Sequence, residues 1–182
     1  ASASSALTIA GNFTNNGSFV HNNGSITFDS STTTIISSSA SMSFYNFLVT
    51  TAGKIISFLY HTANVPVFTF TNTLTVTGTS DSPVKLQSTQ AGSQWLVSFA
   101  TSQSNITYAY IKDGGCFSGT MQVVFNTTIL NGGNNDSCWS IVISGGGSAT
   151  GSGSAESDSG GGIPIGGGGA GGGDPPAGGG GG

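Results

Sequence analysis

The stretch Val67-Phe-Thr-Phe-Thr-Asn-Thr-Leu-Thr-Val-Thr-Gly-Thr79 decides the fold class. Thr69, Thr71, Thr73, Thr75, Thr77 and Thr79 recur at every second position, and Phe68, Phe70, Leu74 and Val76 fill positions between them, interrupted by Asn72. Successive side chains of a β-strand point to opposite faces, so the pattern describes one strand with a hydroxyl face and an apolar face. β-Branched and aromatic residues suit such a half-buried pleated surface. Shorter alternating runs occupy Leu7-Thr8-Ile9, Ser25-Ile26-Thr27-Phe28, Val84-Lys85-Leu86, Trp95-Leu-Val-Ser-Phe99 and Ile106-Thr-Tyr-Ala-Tyr110. No helix-length window repeats apolar residues at i, i+3, i+4 and i+7. Asn16-Gly17, Asn23-Gly24, Asp113-Gly114-Gly115 and Asn131-Gly132-Gly133 read as tight turns between strands. The expectation is an all-β body.

The strands are short and separated by polar runs without clear hairpin pairing. An internal repeat is also present: Ala6-Leu-Thr-Ile-Ala-Gly11 returns as Thr73-Leu-Thr-Val-Thr-Gly78, 67 residues later. Three coils of about 22 residues produce that offset, within the range of stacked repeats. A parallel β-solenoid is therefore expected, with a β-sandwich as the alternative.

The run Leu7-Thr-Ile-Ala-Gly-Asn-Phe-Thr-Asn-Asn-Gly-Ser-Phe19, followed by Gly24-Ser-Ile-Thr-Phe-Asp29, resembles the repeats of secreted bacterial surface proteins of the adhesin-like β-solenoid type. Tyr110-Ile-Lys-Asp113, and Gly132-Gly-Asn-Asn135 ahead of Trp139, are similar to the closing rungs of such modules. The resemblance spans residues 6–143. It implies a right-handed parallel β-helix with a structural or adhesive role outside the cell, and it brings no catalytic residues. Asp29-Ser30 stands where those repeats have Asp-Gly.

Composition limits the function. Of 182 residues, 31 are Gly, 7 are Asp or Glu, 3 are Lys and none is Arg. The charged share of 5% compares with roughly 25% in ordinary soluble domains. A net charge of -4 without Arg lacks the cationic footprint that nucleic-acid binding needs. A hydrophobic share of 36% argues for a packed chain, since disordered chains combine low hydrophobicity with high net charge. The composition divides near residue 144. Residues 145–182 hold 20 of the 31 Gly, no aromatic residue, and Glu156, Asp158 and Asp174 with no base. Two regions follow, a β body over 1–144 and a Gly-rich extended tail over 145–182. Ala1-Ser-Ala-Ser-Ser-Ala6 suits the residues just beyond a signal-peptidase cut. With no apolar run of about 20 residues to span a membrane, the expected location is secreted, extracellular or at the cell surface.

Cys116 and Cys138 lie 22 residues apart, about one coil, which stacks them on adjacent rungs at the roughly 5.5 Å between Cα atoms that a disulfide needs. Asn12, Asn16, Asn23, Asn105, Asn126 and Asn135 head Asn-x-Ser/Thr sequons that permit glycosylation. His21 and His61 have no acid or Cys at metal-ligand spacing and read as turn or surface residues. Asp113-Gly-Gly and the stretch from Asn131 to Asp136 offer oxygen atoms, but not the carboxylate density of a calcium loop. The body's only acids are Asp29, Asp81, Asp113 and Asp136, too few and too scattered for the paired carboxylates of glycan cleavage. No enzyme activity, cofactor or metal site is expected. The Thr row from Thr69 to Thr79 lies along one strand, with Thr32-Thr33-Thr34 its nearest echo, and reads as a solvated face rather than an ice-binding array.

Assembly is the remaining reading. Gly166–Gly169, Gly171–Gly173 and Gly178–Gly182, interrupted by Pro164, Pro175 and Pro176, suit an extended path that only packing against a neighbour would order. Ile163-Pro164-Ile165 is the tail's one apolar anchor. Leu7 and Ile9 in the first strand, and Trp139, Ile141 and Ile143 in the last, stand at ends with no charged or helical cap. The sequence thus points to a structural subunit of a self-assembling extracellular filament. Its partners would be copies of itself, with surface glycans as further candidates. The alternative is a monomeric adhesin or glycan-binding module with a spacer tail.

Overall fold

The computed structural model describes residues 5–103, 105–117, 123 and 128–139. These all lie in the first of two units, Ala1–Ser152, while the second, Gly153–Gly182, falls wholly outside the described residues. The described chain is all-β. Its strands are β1 (Ala6–Ile9), β2 (Phe13–Asn15), β3 (Ser25–Phe28), β4 (Thr34–Ser38), β5 (Met42–Val49), β6 (Ile55–Phe58), β7 (Val67–Thr77), β8 (Val84–Ser88), β9 (Trp95–Phe99), β10 (Ile106–Thr107), β11 (Ala109–Ile111), β12 (Gly114–Cys116) and β13 (Ile129–Asn131).

Two sheets form, one ordered β1-β3-β5-β7-β9-β12 with β10 beside β7, the other β13-β11-β8-β6-β4-β2. Every strand pairing among the described residues is parallel. The antiparallel hairpins of an ordinary β-sandwich do not occur among them. The chain passes from one sheet to the other and returns beside the strand it laid down one circuit earlier. The circuits are uneven, since Ala6 pairs with Ser25 after 19 residues and Ile55 with Lys85 after 30. Turns absorb the difference, because the pleat constrains only the paired segments.

The expected alternation holds in β7. Phe68, Phe70, Leu74 and Val76 are buried, and the threonines between them face outward. Those threonines also have counterparts across strands, which corrects their reading as a single-strand row. Thr75 pairs with Leu48, which pairs with Thr27, which pairs with Thr8. Thr69 lies between Ser43 and Ser98, and Thr77 beside Thr107. Leu48, and Asn46 beside Thr73, break the threonine pattern.

Inward residues stack from strand to strand. The rings of Phe44, Phe70 and Phe99 form one column, with centroids 5.8 and 5.7 Å apart. Trp139 closes it edge-on to Phe99 at 5.2 Å. Phe58 lies flat on Trp95 at 3.9 Å. Such aromatic pairs add about 0.5–1.5 kcal/mol each beyond area burial.

Asn72, the interruption in the alternating stretch, marks a corner. The β5–β7 register shifts between Phe44 and Asn46, and β7 divides there: Val67–Phe70 pairs onward with β9, and Val76–Thr77 with β10. Between those segments the buried Leu74 N–H has no strand partner, and the Gln103 carboxamide oxygen accepts it at 2.6 Å. The Gln103 amide nitrogen in turn donates to Asn72 O and Thr101 O at 3.2 and 2.8 Å. A side chain thus completes the ladder where the backbone departs, as a buried amide requires.

Lys54 is buried at a second corner. Its Nζ donates to Thr32 O at 2.6 Å and to the Thr34 hydroxyl at 2.7 Å. Burial lowers its pKa from the ordinary 10.5, opposed in part by the Asp29 carboxylate.

Candidate functional site

The sheet that begins with β1 carries an inward column in register: Leu7, Ile26, Phe47, Leu74. Ile26, Phe47 and Leu74 are 3%, 0% and 0% exposed, whereas Leu7, the end member, is 43% exposed. Beside it Ile9 is in register with the fully buried Phe28 and is itself less buried. Among the described residues, both rows therefore end at β1 without a covering strand. Among the described residues β1 pairs with β3 alone.

Local sequence shapes the turn that sets β3 beside β1. Gly24 passes so close to Ser5 that a Cβ on it would run into the Ser5 carbonyl oxygen, and Ser25 donates its N–H to that oxygen at 2.9 Å. Asn22 and Asn23 take left-handed backbone at φ 44° and 56°, so the chain turns sharply before β3. The His21 ring stacks on Tyr45, and its Nδ1 accepts the Asn23 N–H at 3.0 Å, which fixes the turn.

Beside β1 these elements leave a cleft of about 130 Å³, the liquid volume of roughly four waters. Leu7, Phe19, Val20, Ile26 and Phe44 supply its apolar wall, and Val20 is 67% exposed. His21, Tyr45, Asn46 and hydroxyl groups form the rim, with no carboxylate or amine. The arrangement can bury a branched aliphatic side chain and pair with an extended backbone. It offers no acid–base pair for group transfer.

The remaining candidates fall elsewhere. Cys116 and Cys138 form a disulfide with Cα atoms 5.9 Å apart, on the side of the fold away from β1. Trp139 is buried against Trp95 and Phe99. Ile141, Ile143, Ile163, Pro164 and Ile165 lie outside the described residues, as does the extended tail over 145–182. Of the sequons, Asn16, Asn23 and Asn105 are exposed. Asn12 is exposed too, although its Oδ1 accepts the Ile35 N–H at 2.8 Å. Asn135 is engaged on both amide atoms, by Gly114 N–H, Ile111 O and Asn131 Oδ1, and Asn126 lies outside the described residues. His61 is half-buried, and its Nε2 has no hydrogen-bond partner.

The fold brings together the two turns considered for calcium. Asp113 Oδ1 accepts from Gly92 N–H and the Asn134 amide, at 3.2 and 2.8 Å. Asp136 accepts from the Gln94 amide and Cys116 N–H, both at 2.9 Å. These oxygens face N–H donors, which is how stacked turns satisfy one another. Composition gave no signal for this stacking or for Gln103, because each depends on which circuits become neighbours.

Among the described residues no group of three or more His, Cys, Asp or Glu gathers to hold a metal ion. None of their helices is long and apolar enough to cross a membrane. No protein-family model, curated protein or solved structure matches the chain.

Proposed function

We propose that the body is a right-handed parallel β-solenoid and that the protein is a structural subunit of an extracellular self-assembling filament. The observation that carries this reading is the end at β1, where apolar residues in register stop at Leu7 and Ile9 and, among the described residues, no strand pairs with the far edge. An unpaired strand edge is a template for further strands, and proteins that remain monomeric blunt such edges with charge, proline or a covering element. Leu7-Thr8-Ile9 has none of these. A contact between two different surfaces of the same chain does not close on itself, and so extends into a fibre. The disulfide and the scarcity of Lys and Arg suit a durable protein outside the cell.

Electron microscopy of purified protein, with and without residues 145–182, tests the proposal. Fibres from the full chain are the expected result. Monodisperse particles from both chains at high concentration would refute it and favour a monomeric adhesive module instead.

A further inference from the structure

We infer that the free edge of β1 takes the Ile163–Ile165 segment of a second copy as an added parallel strand. This inference rests on the assembly reading and specifies its contact.

Backbone polarity defines what this edge can accept. On this face, residues at inward positions direct their N–H groups to the following strand: Val76 donates to Asn105 O at 2.9 Å and Gly78 to Thr107 O at 3.1 Å. Residues at outward positions direct theirs to the preceding segment: Ser25 donates to Ser5 O at 2.9 Å and Asn46 to Gly24 O at 3.2 Å. In β1 the outward residues are Ala6 and Thr8, in register with Ser25 and Thr27. Their backbone groups therefore point to the side on which β1 has no partner among the described residues.

A parallel strand arriving there must meet three conditions. It needs apolar side chains at two positions separated by one residue, to extend the columns ending at Leu7 and Ile9. The backbone of those two residues faces β1 and must be able to pair. The residue between them faces outward, so its N–H lies on the new free edge and is not needed. Ile163-Pro164-Ile165 meets all three: two branched aliphatic residues flank a proline, whose missing N–H falls on the outer edge. Antiparallel addition would turn Pro164 towards β1 and lose a ladder bond. Proline on the outer edge also stops a further strand from adding there, so each docking event is terminal at that edge.

The tail is long enough to reach a second copy. β12 and β13 lie at the ends of their sheets opposite β1 and β2, and the described residues end at Trp139. A chain the length of residues 140–162 can span at most roughly 75 Å at about 3.3 Å per residue, a reach that covers the first strand of a copy placed end-on. Ile141 and Ile143 share the alternating apolar pattern but follow Trp139 too closely for such reach. Strand addition of this kind draws affinity from main-chain bonds and selectivity from alternate side-chain pockets. The cleft lined by Leu7, Phe19 and Val20 is such a pocket.

Two full-length variants test the inference by complementation. Ile163→Ser/Ile165→Ser removes the donor and leaves the edge free. Thr8→Pro removes an outer-edge N–H from β1 and leaves the tail intact. Wild-type protein should form concentration-dependent oligomers in sedimentation velocity, and each variant alone should lose at least tenfold of the oligomeric fraction. An equimolar mixture should form a heterodimer. A second arm uses wild-type protein and a peptide of residues 159–167. The peptide should slow hydrogen exchange at the Thr8 amide at least tenfold, with Thr27 unchanged, and its Ser-substituted form should do nothing. Wild type that assembles while Ile163→Ser/Ile165→Ser assembles equally well overturns the inference alone, as does an unprotected Thr8 amide. Wild type that stays monomeric at every concentration overturns the assembly reading and the inference with it.

Discussion

Leu7 and Leu74, 67 residues apart, stand in one inward column, linked through Ile26 and Phe47 by steps of 19, 21 and 27 residues. Leu74 is wholly buried and Leu7 is 43% exposed. No strand pairs onward from either residue among the described residues, but Gln103 covers Leu74, whereas Leu7 stands on β1, which pairs with β3 alone. The exposure of Leu7 thus follows from its place at the end of the described stack.

The disulfide should carry measurable stability. Closing a loop of 22 residues stabilises a fold by about 3 kcal/mol in the chain-entropy model. Cys116→Ala/Cys138→Ala should therefore unfold at lower denaturant concentration, with an equilibrium loss of that order. A midpoint unchanged from the oxidised wild type would contradict the closure argument.

Gln103 stands in for a missing strand at Leu74. Replacement by Leu keeps the apolar bulk but leaves the buried Leu74 N–H unsatisfied, at a cost of about 1–3 kcal/mol. Chemical denaturation would measure this, and local hydrogen exchange at Leu74 should accelerate. A variant as stable as wild type would mean that the amide finds another acceptor.

Gly78 meets the backbone of the next circuit. A Cβ there would collide with the Tyr108 carbonyl oxygen and lie 2.6 Å from Val84 N. Neither is the end of a flexible side chain, so Gly78→Ala should destabilise by roughly 1–3 kcal/mol or more, as overpacking does. Gly92, whose added Cβ would meet nothing within 4 Å, has φ +79°, so its replacement by Ala tests backbone strain without collision. The larger loss of melting temperature should fall on Gly78.

Lys54 makes stability depend on pH. Its folded pKa is lowered by burial, so between that value and the ordinary 10.5 the unfolded chain binds more protons than the folded one. Stability contributed by this group therefore rises with pH through that window and is reduced below it. Relative to Lys54→Met, wild-type protein should gain stability between neutral pH and the ordinary lysine range, measured by denaturation at several pH values. A flat difference would show that the amine carries no such shift.

Much of this was legible in the sequence because the pleat imposes a period of two. The Phe and Val positions of β7, the column linking Leu7 to Leu74, and the pairing of Cys116 with Cys138 all follow from alternation or spacing. Uneven circuit lengths were not legible, since turns such as the one before Lys85 lengthen without disturbing the pleat. Nor was the burial of Lys54 or the turn stacking of Asp113 with Asn134, because the partners come from neighbouring circuits. The lack of charge around Leu7 was legible. The cleft beside it was not, because Phe19, Val20 and Phe44 meet only once the first circuits are wound.

Sedimentation velocity of wild-type protein and Leu7→Asp, over one shared concentration series, tests whether the β1 end mediates assembly. Leu7 is exposed enough that the substitution should leave the melting temperature close to wild type, while placing a carboxylate at the end of the apolar column. Wild-type species should grow with concentration, and the variant should remain monomeric. Equal growth of both, or monomers in both, would contradict assembly through that end.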